Sequence, residues 1–169
     1  MNNTNQLPIM NLGDNETGCC PRFVPEPWDE KTFVFDNVLF AKASTRSFFY
    51  MPLNLGKVMT RSQELIDQAK AVDKDRYMIL SQDVSKWKAN HYFKVSDNVP
   101  GMEMEKLSGT FMTKVFDAEY RDFPKLIQKL KSYIKEQGHE MKDFFVFYTT
   151  CPKCAKHYGK NYMVFFGRI

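Results

Sequence analysis

Two stretches of this sequence carry apolar residues at helical spacing, and each stands among short aromatic and aliphatic runs suited to strands. From Leu55 to about Val72, the residues Val58, Met59, Leu65, Ile66 and Ala69 share one face. Asn54 is placed to cap that helix, and Lys57, Arg61, Glu64 and Asp67 fall on its polar face. From Asp122 to about Gln137, Phe123, Leu126, Ile127, Leu130 and Ile134 repeat the pattern, with Asp122 as N-cap, Pro124 in the first turn and Gly138 just past the end. Strand-like runs cover Ser44 to Met51, Arg76 to Ser81 and Asn90 to Ser96, and again Leu107 to Phe116, Phe144 to Thr149 and Tyr162 to Gly167. Strand, helix, strand, strand thus occurs twice, over about 44–96 and 107–168. The expected fold class is α+β: duplicated modules forming a largely antiparallel sheet, two helices on one face, and a cleft between the modules.

What precedes the first module is different in kind. Residues 1–18 are polar and Asn-rich and read as a disordered tail. Residues 19–43 read as an extended strap followed by a hairpin. Pro21, Pro25 and Pro27 forbid a helix interior or a central strand, and Phe23 and Trp28 are available to pin the strap. Lys31 to Phe40 alternates around Asp36–Asn37, which suits two short strands and a tight turn. The domain proper is then 44–169, and a length of 169 residues suits one domain.

Charge and hydropathy exclude some roles. The net charge of +4 comes from dispersed lysines with no like-charged block, so no nucleic-acid partner is expected. No run has the length of a membrane span and no signal-peptide pattern opens the chain, so the expectation is a cytoplasmic protein with no membrane partner.

Fifteen Phe and eight Tyr exceed what packing alone demands. Phe49, Tyr50, Trp87, Phe111 and Tyr148 lie on or beside elements expected to border the cleft, where flat rings would stack on a planar apolar ligand; the competing reading is that they fill the core. Water addition to such a ligand calls for a carboxylate base, with Glu103, Glu105 and Glu119 as candidates, and for a phenol such as Tyr50 or Tyr148 to polarise a carbonyl.

The most specific chemistry is in the cysteines. Cys151 and Cys154 have the spacing of a metal knuckle, and Cys19 and Cys20 stand at the other end of the chain. Together they offer a ligand set for structural zinc, with His157 as a weaker fifth candidate; no other cofactor is required. A redox Cys-Pro-X-Cys pair and plain thiols steadying a hairpin loop are the alternatives.

Ser108-Gly109-Thr110-Phe111 leading to Phe116-Asp117-Ala118-Glu119-Tyr120, with the Phe-Pro-Lys-Leu helix behind it, resembles the GyrI-like small-molecule-binding superfamily over about 44–169. The strap and the Thr149 to Cys154 loop are similar to a narrower group of stand-alone bacterial proteins labelled as hydrolases. The resemblance implies a ligand cleft between the modules, and hydrolysis of cyclopropane-bearing molecules in some members. Many members carry a glutamate in the penultimate strand, and Phe144 to Tyr148 has none. The expected function is binding of a small, flat, largely apolar molecule. The alternatives are a hydrolase adding water to one, and a protein-binding inhibitor or zinc-steadied interaction module with a protein partner.

Overall fold

The computed structural model describes residues 6–169 and the backbone of residues 3 and 4. Its elements are β1 (Asn3–Thr4), β2 (Thr32–Phe48), β3 (Met51–Pro52), α1 (Leu55–Gln68), β4 (Ile79–Ser85), β5 (Lys88–Lys94), β6 (Glu103–Asp117), α2 (Phe123–Glu136), β7 (Asp143–Tyr148), α3 (Pro152–Tyr158) and β8 (Tyr162–Arg168), with a 3-10 turn at Tyr120–Asp122. The chain is therefore mixed α/β with mainly antiparallel pairing. It divides into two compact units, Met1–Phe35 with Gly109–Ile169, and Asp36–Ser108.

In the first unit β8 is central, pairing antiparallel with β6 from Asp117↔Tyr162 to Phe111↔Arg168 and with β7 from Tyr148↔Met163 to Asp143↔Arg168. The apolar stripe of α2 presses Leu126, Leu130 and Ile134 against Met112, Val146, Met163 and Phe165. Gly167 permits that approach, because a Cβ there would collide with Ile134 Cδ1. A second group of rings collects Trp28, Phe33, Phe147 and Phe166, with Trp28 5.6 Å from Phe147 and 6.0 Å from Phe33. Phe23 stands 5.7 Å from Tyr162 and 6.3 Å from Phe147, so the strap is anchored by rings where its prolines deny it ladder bonds. Of residues 1–18, expected as a disordered tail, 1, 2 and 5 lie outside the described residues, and the segment from 6 on buries Leu7 and Met10.

In the second unit β5 is central, pairing with β2 from Arg46↔Lys88 to Phe40↔Lys94 and with β4 from Ser85↔Lys88 to Ile79↔Phe93. α1 lays Ile66 in a cluster with Ala41, Phe93 and Val95. Asn54 occupies the N-cap position of α1 without capping it; its Oδ1 accepts from the Arg46 N–H at 2.8 Å.

Two turns differ from expectation. β2 is one strand of 17 residues, and Asp36–Asn37 does not reverse it. A two-residue reversal needs positive φ at both central residues, and only Asn37 has it, at 52°. The strand is creased there, and the Asn37 N–H donates to Ser108 Oγ at 2.9 Å. The chain instead reverses at Phe49–Tyr50, inside the run expected to be a strand, with φ of 46° and 70° between the paired Phe48 and Met51. The polar loop expected around residues 82–88 is likewise mostly strand, since β4 runs on to Ser85 and turns at once into β5.

Candidate functional site

The four cysteines meet within the first unit. The sulfurs of Cys19, Cys20, Cys151 and Cys154 all lie within 4.8 Å of one another, and none is in a disulfide. Local structure accounts for the convergence. Cys151 is the N-cap residue of α3, Pro152 fills the first helical position that suits it, and Gly159 closes the helix in the left-handed region at φ 70°. Cys154 lands in the first turn, on the buried side of the helix. The segment expected to be an irregular loop is thus helical, which brings the two thiols of the knuckle to one end of α3.

The strap is fastened to that end by polar contacts. Tyr158 Oη donates to the Cys20 carbonyl at 2.7 Å, and the Cys151 N–H reaches Cys20 Sγ at 3.4 Å. The Arg22 guanidinium sits 4.6 Å from the Tyr158 ring centroid and pairs with Glu16 at 2.7 Å. The Cys154 thiol lies 3.3 Å from Thr17 Oγ1, and that hydrogen bond draws it below its ordinary pKa, while burial pushes the Cys20 thiol up. His157 stands apart from the sulfurs, its Nε2 3.2 Å from Glu16.

The donor set suits zinc. Four sulfurs around a tetrahedral ion at the usual bond length stand about 3.8 Å apart, and the Cys19 and Cys20 sulfurs are 3.7 Å apart. Four thiolates complete the coordination, so such an ion is a structural one with no open position for a substrate.

The second unit holds a different pair of features. A cavity of about 380 Å³ lies beside α1, lined by Met59, Ile79 and Phe93 with Gln63, Glu64, Asp67 and Tyr77. Gln63 Nε2 donates to Asp67 Oδ1 at 2.9 Å. Two residues further along the same faces of β4 and β5, His91 is enclosed with Nδ1 2.8 Å from Ser81 Oγ and Nε2 2.9 Å from Thr45 Oγ1. Burial lowers its pKa to about 4. A neutral imidazole satisfies both hydroxyls, one nitrogen donating and the other accepting.

The sequence-predicted residues scatter. Phe49, Tyr50 and Trp87 come together at the exposed turns of the second unit. Phe111 is fully enclosed, with Phe35 at 4.6 Å and Phe145 at 6.0 Å, and Tyr148 is partly exposed in the first unit. Glu103 and Glu105 both bind Lys42 Nζ, at 3.2 and 3.0 Å, and Glu119 pairs with Arg121 at 2.8 Å. None of the three lines the cavity; Glu64 and Asp67 do, and on the polar face of an amphipathic helix they read simply as solvated.

Residues 10–169 match the model of a family described as Bacterial hydrolase. No curated protein matches the chain. Among the described residues no helix is long and apolar enough to cross a membrane.

Proposed function

Because the chain belongs to the Bacterial hydrolase family, we propose that it hydrolyses a small, largely apolar molecule bound beside α1. The observation that carries this reading is the cavity itself, whose apolar floor of Met59, Ile79 and Phe93 adjoins two carboxylates and a phenol. Its volume is that of a small-ligand site. Glu64 is the candidate base for a water molecule, since Asp67 already accepts from Gln63, and Tyr77 is the candidate to polarise the group attacked. Turnover of 4-nitrophenyl butyrate, a small apolar ester, tests it. The expected result is hydrolysis that falls roughly 100-fold or more in Glu64→Gln; equal turnover by that variant overturns the assignment. Ligand retained in native mass spectra without turnover would instead favour binding alone.

A second reading concerns the cysteines and rests on their converging sulfurs: they hold one structural zinc ion that clamps the strap to α3. Metal analysis of protein purified without chelator is expected to find one zinc per chain, and metal-free folded protein overturns it. Cysteines held outside any disulfide suit a reducing, cytoplasmic setting. The chain order β2, α1, β4, β5 and then β6, α2, β7, β8 supports a duplicated architecture of the GyrI-like kind.

A further inference from the structure

Two tight turns meet at one tip of the second unit. The Tyr50 N–H donates to the Lys86 carbonyl at 3.0 Å, and the Ser47 N–H donates to the Trp87 carbonyl at 2.8 Å. The rings of Phe48, Phe49 and Trp87 close a triangle with centroid separations of 5.0, 5.7 and 5.2 Å. These three rings are 56%, 57% and 47% exposed, and Met51 and Leu53 beside them are 69% and 71% exposed. Single exposed apolar side chains are ordinary, but a contiguous group of this kind marks an interaction surface. The backbone supports the same reading. A two-residue reversal with positive φ at both positions is easy for Asn-Gly, yet here Phe49 and Tyr50 occupy it. The fold tolerates an unfavourable backbone in order to display those side chains.

Charge identifies the partner. Arg46 and Lys88 stand directly opposite one another on β2 and β5, a like-charge pairing that disfavours the sheet unless an anion lies over it. Lys86 Nζ lies 5.0 Å from the Phe49 ring and 5.2 Å from that of Trp87. Among the described residues none of these three cations is in an ion pair. Apolar rings at an apex with lysine and arginine close behind match the two layers of an anionic bilayer surface, where aromatic side chains settle at headgroup depth and basic ones meet lipid phosphates. We infer that this tip inserts reversibly into the interface of an anionic phospholipid membrane, Phe48, Phe49 and Trp87 entering and Arg46, Lys86 and Lys88 holding phosphates. Single-stranded nucleic acid fits less well. Two of the ring pairs meet edge to face, at 83° and 63°, and the third is tilted at 52°, so the rings cover one another instead of presenting parallel platforms for bases. Met51 and Leu53 add aliphatic volume on which no base stacks. The expectation of no membrane partner rested on the absence of a spanning run, which a surface-seeking tip does not need.

The protein carries its own reporter, because Trp28 is enclosed and Trp87 is exposed. With vesicles of phosphatidylcholine containing roughly one-third phosphatidylserine, the expected result is a blue shift of Trp87 emission and cosedimentation of the protein. Cosedimentation is expected to fall about tenfold or more with phosphatidylcholine alone, with Arg46→Gln combined with Lys88→Gln, and with Phe49→Asn combined with Tyr50→Gly. The last variant creates the preferred turn sequence, so it removes rings while keeping the hairpin. No shift with the mixed vesicles, equal partitioning on neutral ones, unchanged partitioning of the Asn-Gly variant, or tighter binding to oligothymidylate than to vesicles would each overturn the inference.

Discussion

At the scale of single residues, His91 sets a pH dependence whose sign follows from its enclosure. Its imidazole takes a proton below about 6.5 in the unfolded chain and only near 4 in the fold. Between those values the unfolded state binds more protons, so the stability is complete above pH 6.5 and drains away as pH falls towards 4, by about 3 kcal/mol in all. Denaturant titrations across that range should show the loss, and His91→Gln should flatten it. The turn makes an opposite prediction: Phe49→Asn with Tyr50→Gly should raise stability by about 1 kcal/mol, read as a higher urea midpoint at unchanged m-value. Neither residue announces itself in the sequence. Asn90 to Ser96 reads correctly as a strand, but a strand pattern does not say that Ser81 and Thr45 flank His91, because cross-strand partners are set by register. The Phe49–Tyr50 reversal is hidden for another reason, as both side chains belong to the types that favour strands.

Among the elements, α2 is where sequence and structure agree most closely. Leu126, Leu130 and Ile134 recur at the spacing that one buried face requires, and all three are buried. Leu130→Ala should cost about 2–5 kcal/mol in chemical unfolding, since Leu130 is fully enclosed and its neighbours leave a cavity when it is shortened. Gly167→Ala acts on the same contact from the strand side, and thermal melts should show it destabilised, because the added methyl meets Ile134. By contrast α3 has seven residues, too few for a period to emerge from its apolar positions. Its legible signals are Pro152 and Gly159 at its two ends. Asp36–Asn37 misled in the other direction, since an Asn that tolerates positive φ can crease a strand as well as end one.

For the whole molecule, the sequence put Cys19, Cys20, Cys151 and Cys154 forward as one ligand set, and the structure places their sulfurs together. The cavity is not legible in the sequence, because its lining is drawn from α1, β4, β5 and Tyr77 just ahead of β4, and exists only once these pack. An ion shared by the four sulfurs would close a loop of 131 residues between Cys20 and Cys151. Closing a loop of that length removes about 5 kcal/mol of unfolded-state entropy. Stripping such an ion with a chelator should therefore lower the melting temperature. Hydrogen exchange should quicken first in residues 19–22 and 151–159, while β4 and β5 keep their protection. That separation along the chain also bears on biosynthesis. Cys19 and Cys20 leave the ribosome long before Cys151 and Cys154, so an ion met early finds only half its ligands and can still be surrendered to cellular thiols. Firm capture would wait until α3 has emerged with Cys151 and Cys154, and the centre would then distinguish chains that carry this helix from shorter ones in which the strap has nothing to grip.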